Sequence, residues 1–310
     1  MSQVNKQSVA DYMGVDVSRE FLDLSDGRRL PNHRTGHAAL VRGLRKRSCR
    51  VVCEPSGPYH VAMARALQKA GVGVCVVNPA AVRAFAHAKN QRAKTDRIDA
   101  ALLAEYGRHF NPKLAVPVSP QQLELAALVE RRAELVEALV TERNRLGQQS
   151  LPSLRRHLIK AIGCWERLLA QVEADLDALL ASCPELATKV KALSSVKGVG
   201  KLTALALLAW LPELGSLSCG QAAALCGVAP FTRQSGQWKG KSFISGGRAK
   251  VRAALYMPAL VASRRNPVLQ PLYDRLCASG KAPKVALVAL MRKLVIYLNS
   301  ILKNLPSIPA

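Results

Sequence analysis

Between residues 154 and 179 an apolar side chain returns every three or four positions: Leu154, Leu158, Ile162, Trp165, Leu169, Val172, Leu176 and Leu179. Glu, Arg and Asp fill the intervening positions, which is the pattern of an amphipathic helix with one buried stripe. The stretch before it, LELAALVERRAELVEALVTERNRL, is helical in the same way, and Pro152 stands near the junction. The two runs therefore predict an antiparallel helical hairpin or coiled coil. They mark off three regions: 1–117, a connector over 118–185, and 186–310. By itself such a connector is a helical linker or a dimer surface and carries no chemistry.

The region before the connector alternates short apolar runs with helical ones. YMGVDVS, FLDLSDG, RVVCEPSG and VGVCVVNP read as strands, and HVAMARALQKAG as a helix between the last two. This is an α/β pattern, a mixed sheet flanked by helices. The region after the connector reads as helical. A hydrophobic share of 49% with only 5% aromatics makes a core of Ala, Leu and Val, which favours helices over a β-sandwich.

Forty-five Lys and Arg face 21 Asp and Glu, a formal charge of +24. A surface this positive calls for a polyanion, so nucleic acid is the first partner to consider. The most membrane-like run, VALVALMRKLVIYL, is interrupted by Arg292 and Lys293, and no N-terminal signal pattern is present, so a cytoplasmic protein without a membrane partner is expected. Eight cysteines occur without a C-x-x-C pair or zinc-like His spacing, predicting buried reduced thiols rather than a zinc site or disulfides.

Acids are informative because they are scarce. Asp16 lies on a predicted first strand, Glu54 at the end of a later strand just before Pro55, and Asp96 and Asp99 open the helix DRIDAALLAEYG, on one face of it. Each has a plain structural explanation as a turn or helix cap. Together they can converge at one edge of a sheet and hold Mg²⁺, which prefers oxygen ligands, with Lys94 and Arg97 beside them to hold a phosphate backbone. The stretch between Asp16 and Glu54 reads as a short loop rich in Arg and Lys, a nucleic-acid contact surface or a solvated basic face. From Leu214 onward Asp274 is the only acid, so that region cannot build a Mg²⁺ site of its own.

GVDVS, CEPSGPY and AKTDRIDA in one chain resemble the N-terminal domain of the DEDD transposases of the insertion sequence 110 family, the bridge-RNA-guided recombinases, with a ribonuclease-H-like, RuvC-type fold. Residues 227–260, with S-G-x-x-x-G and G-G-R, are similar to that family's C-terminal transposase domain, whose serine attacks DNA; the matching residue is Ser235, with Ser242 and Ser245 nearby. From the residues alone, Ser235 is a hydroxyl on a flexible turn among Arg233, Lys239, Lys241, Arg248 and Arg252, a phosphate-binding surface. LSSVKGVGKLTALALLAWL resembles a helix-hairpin-helix, in which Gly198 and Gly200 would present backbone N–H groups to a phosphate or simply form a tight turn.

The resemblance covers essentially the whole chain. It implies a transposase that cuts and rejoins double-stranded donor and target DNA. Asp16, Glu54, Asp96 and Asp99 would hold Mg²⁺ and Ser235 would act as nucleophile. It also implies an element-encoded guide RNA and a homo-oligomer with composite active sites. Two other readings fit the residues: a metal-dependent nuclease that uses water, with Ser235 only touching phosphate, and a non-catalytic nucleic-acid-binding protein.

Overall fold

Alternation along β1 (Asp11–Val17) sends Met13, Val15 and Val17 to one face and Tyr12, Gly14 and Asp16 to the other. The chain turns into β2 (Phe21–Leu24) and β3 (Arg29–Pro31), both antiparallel to their neighbours, and then into α1 (Arg34–Leu44). β4 (Cys49–Cys53) returns parallel to β1, and after α2 (Tyr59–Lys69) comes β5 (Val74–Val76), parallel to β4. The result is a five-stranded mixed sheet in the order β3-β2-β1-β4-β5. This arrangement is consistent with a ribonuclease-H-like domain. α3 (Pro79–Ala88) and α4 (Asp96–Phe110) complete the unit.

The computed structural model describes residues 11–45, 47–90, 96–232, 234–235, 238–240 and 242–306, without the side chains of Asp96, Arg97, Gln234, Ser235, Trp238 and Lys239. They form two compact units, Met1–Val118 and Ser119–Ala310.

In the first unit the sheet is covered on both sides. Val15, Val51 and Cys53 pack with Leu40 and Leu44 of α1 and Met63 and Leu67 of α2. Tyr12, Val52 and Cys75 pack on the opposite face with Val82 of α3 and Leu102 and Leu103 of α4. β4 is therefore buried on both sides, which explains its unbroken apolar run. The basic stretch between Asp16 and Glu54, expected as a loop apart from the FLDLSDG strand that is β2, also contains β3 and α1. Charge masked the helix: Leu40 and Leu44 are fully buried on α1, which also carries Arg34, His37 and Arg42.

The second unit opens with α5 (Pro120–Gln148) and α6 (Pro152–Ser182), which turn at 149–151 and pair antiparallel, with Arg132 bonded to Glu173 and Arg143 to Glu166. Leu125, Val129, Leu176 and Leu179 belong to the same core as the helices that follow. Those are α7 (Pro184–Ser194), α8 (Lys201–Trp210), α9 (Cys219–Leu225), α10 (Ala249–Arg265), α11 (Gln270–Ala278) and α12 (Pro283–Lys303). The near end of the hairpin is thus part of the C-terminal core rather than a separate connector.

By length and composition alone α12 could cross a membrane. Here half of that window is buried inside the unit: Leu287, Leu290, Leu294, Val295 and Leu298 form its core stripe. Its buried Asn299 accepts from the Gly215 N–H and donates to the Leu217 carbonyl, each at 2.8 Å, holding the loop before α9.

Between α9 and α10 lie two small ribbons. β6 (Pro230–Phe231) pairs with β9 (Phe243–Ile244), and inside that pair β7 (Gln234–Ser235) meets β8 (Trp238–Lys239).

Candidate functional site

Three structural facts bring the predicted acids to one end of the sheet. In the parallel pairing of β1 and β4, Val15 stands beside Cys53, so the next residues, Asp16 and Glu54, leave the two strands side by side at their C-terminal ends. Neighbouring strands are about 4.8 Å apart. Asp16 continues the face of Tyr12 and Gly14, and Glu54 that of Val52, which is the α4 side of the sheet. Finally, α4 runs antiparallel across β1. The Tyr12 ring lies over Gly107, and Gly14 lies under Ala100 and Ala104. One step further along β1, Asp16 faces the first turn of α4, where Asp96 and Asp99 reside.

The close approach depends on a missing side chain. A Cβ on Gly14 would stand 1.9 Å from the Ala100 carbonyl oxygen and 2.6 Å from the Ala104 nitrogen, both backbone atoms. Ala100 and Ala104 are small and buried, so helix and strand lie flush.

A fifth acid, absent from the sequence reading, adjoins the set. Asp23 is directly opposite Asp16 across β1 and β2. Arg29 donates to both Asp23 carboxylate oxygens, at 2.7 and 3.0 Å, and its guanidinium lies 5.2 Å from the centre of the Phe21 ring. The alternation F-L-D-L, with Asp23 between two buried leucines, was the available signal.

The donors are hard carboxylate oxygens, the type Mg²⁺ takes. Their chemistry and shared end of the sheet fit a divalent cation. Among the described residues, however, no three His, Cys, Asp or Glu side chains are gathered into a ligand sphere. The Asp96 side chain, like Lys94 and the Arg97 side chain, lies outside those residues.

In the second unit the chain reaches Ser235 at the end of β7, opposite Trp238. The Ser235 and Lys239 side chains, Arg233 and Lys241 lie outside the described residues. The root of the ribbons is tightly packed. Gly227 and Gly247, both at positive φ (64° and 68°), meet so closely that a Cβ on Gly247 would be 2.2 Å from the Gly227 nitrogen. Arg252 bonds the Gly246 carbonyl at 2.8 Å.

Arg248, expected among the phosphate contacts, is occupied within the protein. Its guanidinium donates to both Glu213 carboxylate oxygens, at 2.6 and 2.7 Å, and to the Trp210 carbonyl at 2.9 Å. Burial favours the neutral carboxyl of Glu213, but the Arg248 hydrogen bonds and charge outweigh it, leaving Glu213 below the usual carboxylate range. Burial pushes the neighbouring Cys226 thiol up to about 12.

Gly198 and Gly200 part company. Gly198, at φ 107°, packs on α10, where an added Cβ would come within 2.8 Å of the Pro258 carbonyl. Gly200 is the exposed residue before α8 and has open space where a side chain would be.

The family model described as "Transposase", of the DEDD type of IS110, matches residues 15–154, and that of the "Transposase IS116/IS110/IS902 family" matches residues 190–274. The chain belongs to the IS110 family of transposases. This transposase is 28% identical over 309 aligned residues to the pilin gene-inverting proteins of Moraxella lacunata and Moraxella bovis, covering 94% of its own chain and 96% of theirs. It is 30% identical over 135 residues to the insertion element IS110 uncharacterized 43.6 kDa protein of Streptomyces coelicolor, covering 43% of its own chain and 32% of that protein. The first family match contains the four predicted acids of the transposase, and the second contains its ribbons and Ser235.

Proposed function

We propose that this transposase cuts and rejoins double-stranded donor and target DNA with Ser235 as nucleophile and the Asp16, Glu54, Asp96 and Asp99 carboxylates as its metal-binding set. The observation that carries the reading is the register of β1 and β4 under α4, which directs Asp16, Glu54 and the first turn of α4 to one end of the sheet. A bound divalent ion such as Mg²⁺ would act there as a Lewis acid on the scissile phosphate.

The Ser235 oxygen would attack phosphorus while a DNA hydroxyl leaves, giving a phosphoserine ester. Attack by a different DNA hydroxyl would release the serine and restore a phosphodiester, so strand exchange needs no external energy source. Lys94, Arg97, Arg233, Lys239 and Lys241 would grip the backbone as charges. Gly200, open at the start of α8, suits a backbone N–H contact to phosphate in a helix-hairpin-helix. For Arg248 and Arg252 the hydrogen bonds favour a different role, clamping the root of the serine ribbon.

Acids and serine belong to different units, so a composite site in an oligomer fits the chemistry. Val140, Leu151, Leu154 and Ile159, exposed on the α5–α6 hairpin, offer an apolar surface for coiled-coil pairing between copies. An element-encoded bridge RNA would supply sequence choice by base pairing, on DNA in the cytoplasm.

The test is incubation of the protein with its element's RNA, Mg²⁺ and end-labelled donor and target DNA, read on denaturing gels. A protein–DNA adduct lost in both Ser235→Ala and Asp96→Ala is expected. Cleavage without an adduct that persists in Ser235→Ala would refute the serine mechanism and favour a water-using nuclease.

A further inference from the structure

A groove of about 800 Å³ runs beside the serine ribbon in the second unit. Its apolar lining comes from Phe243 and Ile244 of β9, Leu272 of α11, and Val288 and Ile296 of α12, with Leu272 and Val288 also packed against the core. Four exposed cations line it too: Lys281, Lys284, Arg292 and Lys293. No acid lines it among the described residues. Phe243 lines the groove, and Phe231, its pair across β6 and β9, directly follows the lining residue Pro230; the two are 50% (Phe231) and 43% (Phe243) exposed.

The two phenylalanines extend the apolar surface of the groove, and a contiguous exposed apolar patch is the kind of surface that marks an interaction site. An apolar floor with only cations around it suits a ligand that is flat and apolar on its faces and anionic along its backbone. A nucleobase with its phosphates has that character, whereas a duplex keeps its base faces stacked inside. Position strengthens the match. Ser235 is four positions beyond Phe231, a span of at most about 14 Å along extended chain. At about 3.4 Å per nucleotide on one strand, that is roughly four nucleotides.

We propose that the Phe231–Phe243 groove captures an unstacked base of the DNA strand, a few nucleotides from the phosphate that Ser235 attacks, and so holds the duplex open where strands are exchanged. Stacking on the phenylalanines supplies affinity for any base, and Lys284, Arg292 and Lys293 hold the flanking phosphates. The assignment of distance to the cut rests on the serine reading above; the groove's preference for an unstacked base does not.

The experiment compares binding of the full-length protein, in EDTA to prevent cleavage, to a duplex with one unpaired thymine and to the fully paired duplex of the same sequence. Tighter binding to the unpaired site by about tenfold is expected, from the usual gain for one base stacked on an aromatic side chain. Phe243→Ala and, separately, Phe231→Ala should abolish the preference while Phe243→Trp keeps it, with circular dichroism checking that each variant folds. Equal affinity of the unaltered protein for both duplexes would overturn the proposal. So would an equal loss on both duplexes in Phe243→Ala, or stronger competition by RNA of the same sequence than by single-stranded DNA. Conversion of an oligomer to a monomer by Ile296→Asp would assign the groove to a second copy and overturn it as well. Running the adduct assay in parallel separates the two readings: adducts without a preference for the unpaired base refute the groove alone, and the preference without adducts refutes the serine mechanism alone.

Discussion

Replacing Gly14 with alanine inserts one methyl group between β1 and α4, where the new carbon would stand 1.9 Å from the Ala100 carbonyl oxygen. Both the obstructing atoms belong to the helix backbone, so no side chain can swing aside. Restoring ordinary contact requires α4 to back away by about 1.5 Å. Overpacking of this kind costs about 1–3 kcal/mol, read as a fall of several degrees in the melting midpoint. The effect on chemistry is comparable in size, because in the proposed site the same displacement carries Asp96 and Asp99 away from Asp16 and Glu54. A misplacement of about 1 Å can cost roughly 100-fold in rate. The assay is single-turnover adduct formation with a thermal melt of each protein. Gly43→Ala on α1 serves as control, since its Cβ meets only the tip of the Arg28 side chain, at 3.5 Å. A Gly14→Ala protein that melts lower yet forms adduct within about threefold of the unaltered rate would refute the claim that α4 positions the acids for catalysis.

Other predictions follow from the second unit and the thiols. The depressed Glu213 carboxyl contributes stability that is fully present above its unfolded value, near 4.5, and is lost as pH falls through the lower folded value. Acid titration of the melting point should show this loss, and Glu213→Gln should flatten that part of the curve while lowering stability near neutrality. Gly198→Ala faces both a positive φ and the Pro258 carbonyl and should lose about 1–3 kcal/mol in chemical denaturation, whereas Gly200→Ala should change stability little. Among the thiols, exposed Cys164 and Cys219 should alkylate rapidly, as mapped by mass spectrometry. Cys53 and Cys226, each buried and pushed up to about 12, should react only after denaturation.

The strands that bring Asp16 and Glu54 to one end of the sheet were legible because they depend on local alternation and on one apolar strand, β4, whose C-terminal residue precedes Glu54. Two features were missed, and only one of them for distance in the sequence. Asp23, seven residues from Asp16, is set opposite it by the antiparallel register of β1 and β2. Arg248 looked free to bind phosphate in a segment poor in acids, but its partner Glu213 lies just upstream of that segment, 35 residues away. Charge counts along a chain say which ions a region must import; they do not say which arginine a fold has already used. The long hairpin was visible from its periodicity, but its attachment to the C-terminal core required long-range packing that periodicity does not encode.

That hairpin has a modular geometry. Leu125, Val129, Leu176 and Leu179 root it in the core, while Leu135 and Leu139 lie outside that cluster and lean on the opposite arm. Beyond the root each turn is supported by the turn facing it, so equal lengths of α5 and α6 can be added or removed as a matched set with the seam intact. Each seven-residue step per arm would alter its reach by about 10 Å. Length here is a free variable on which relatives of this transposase can diverge without redesigning either end of the chain.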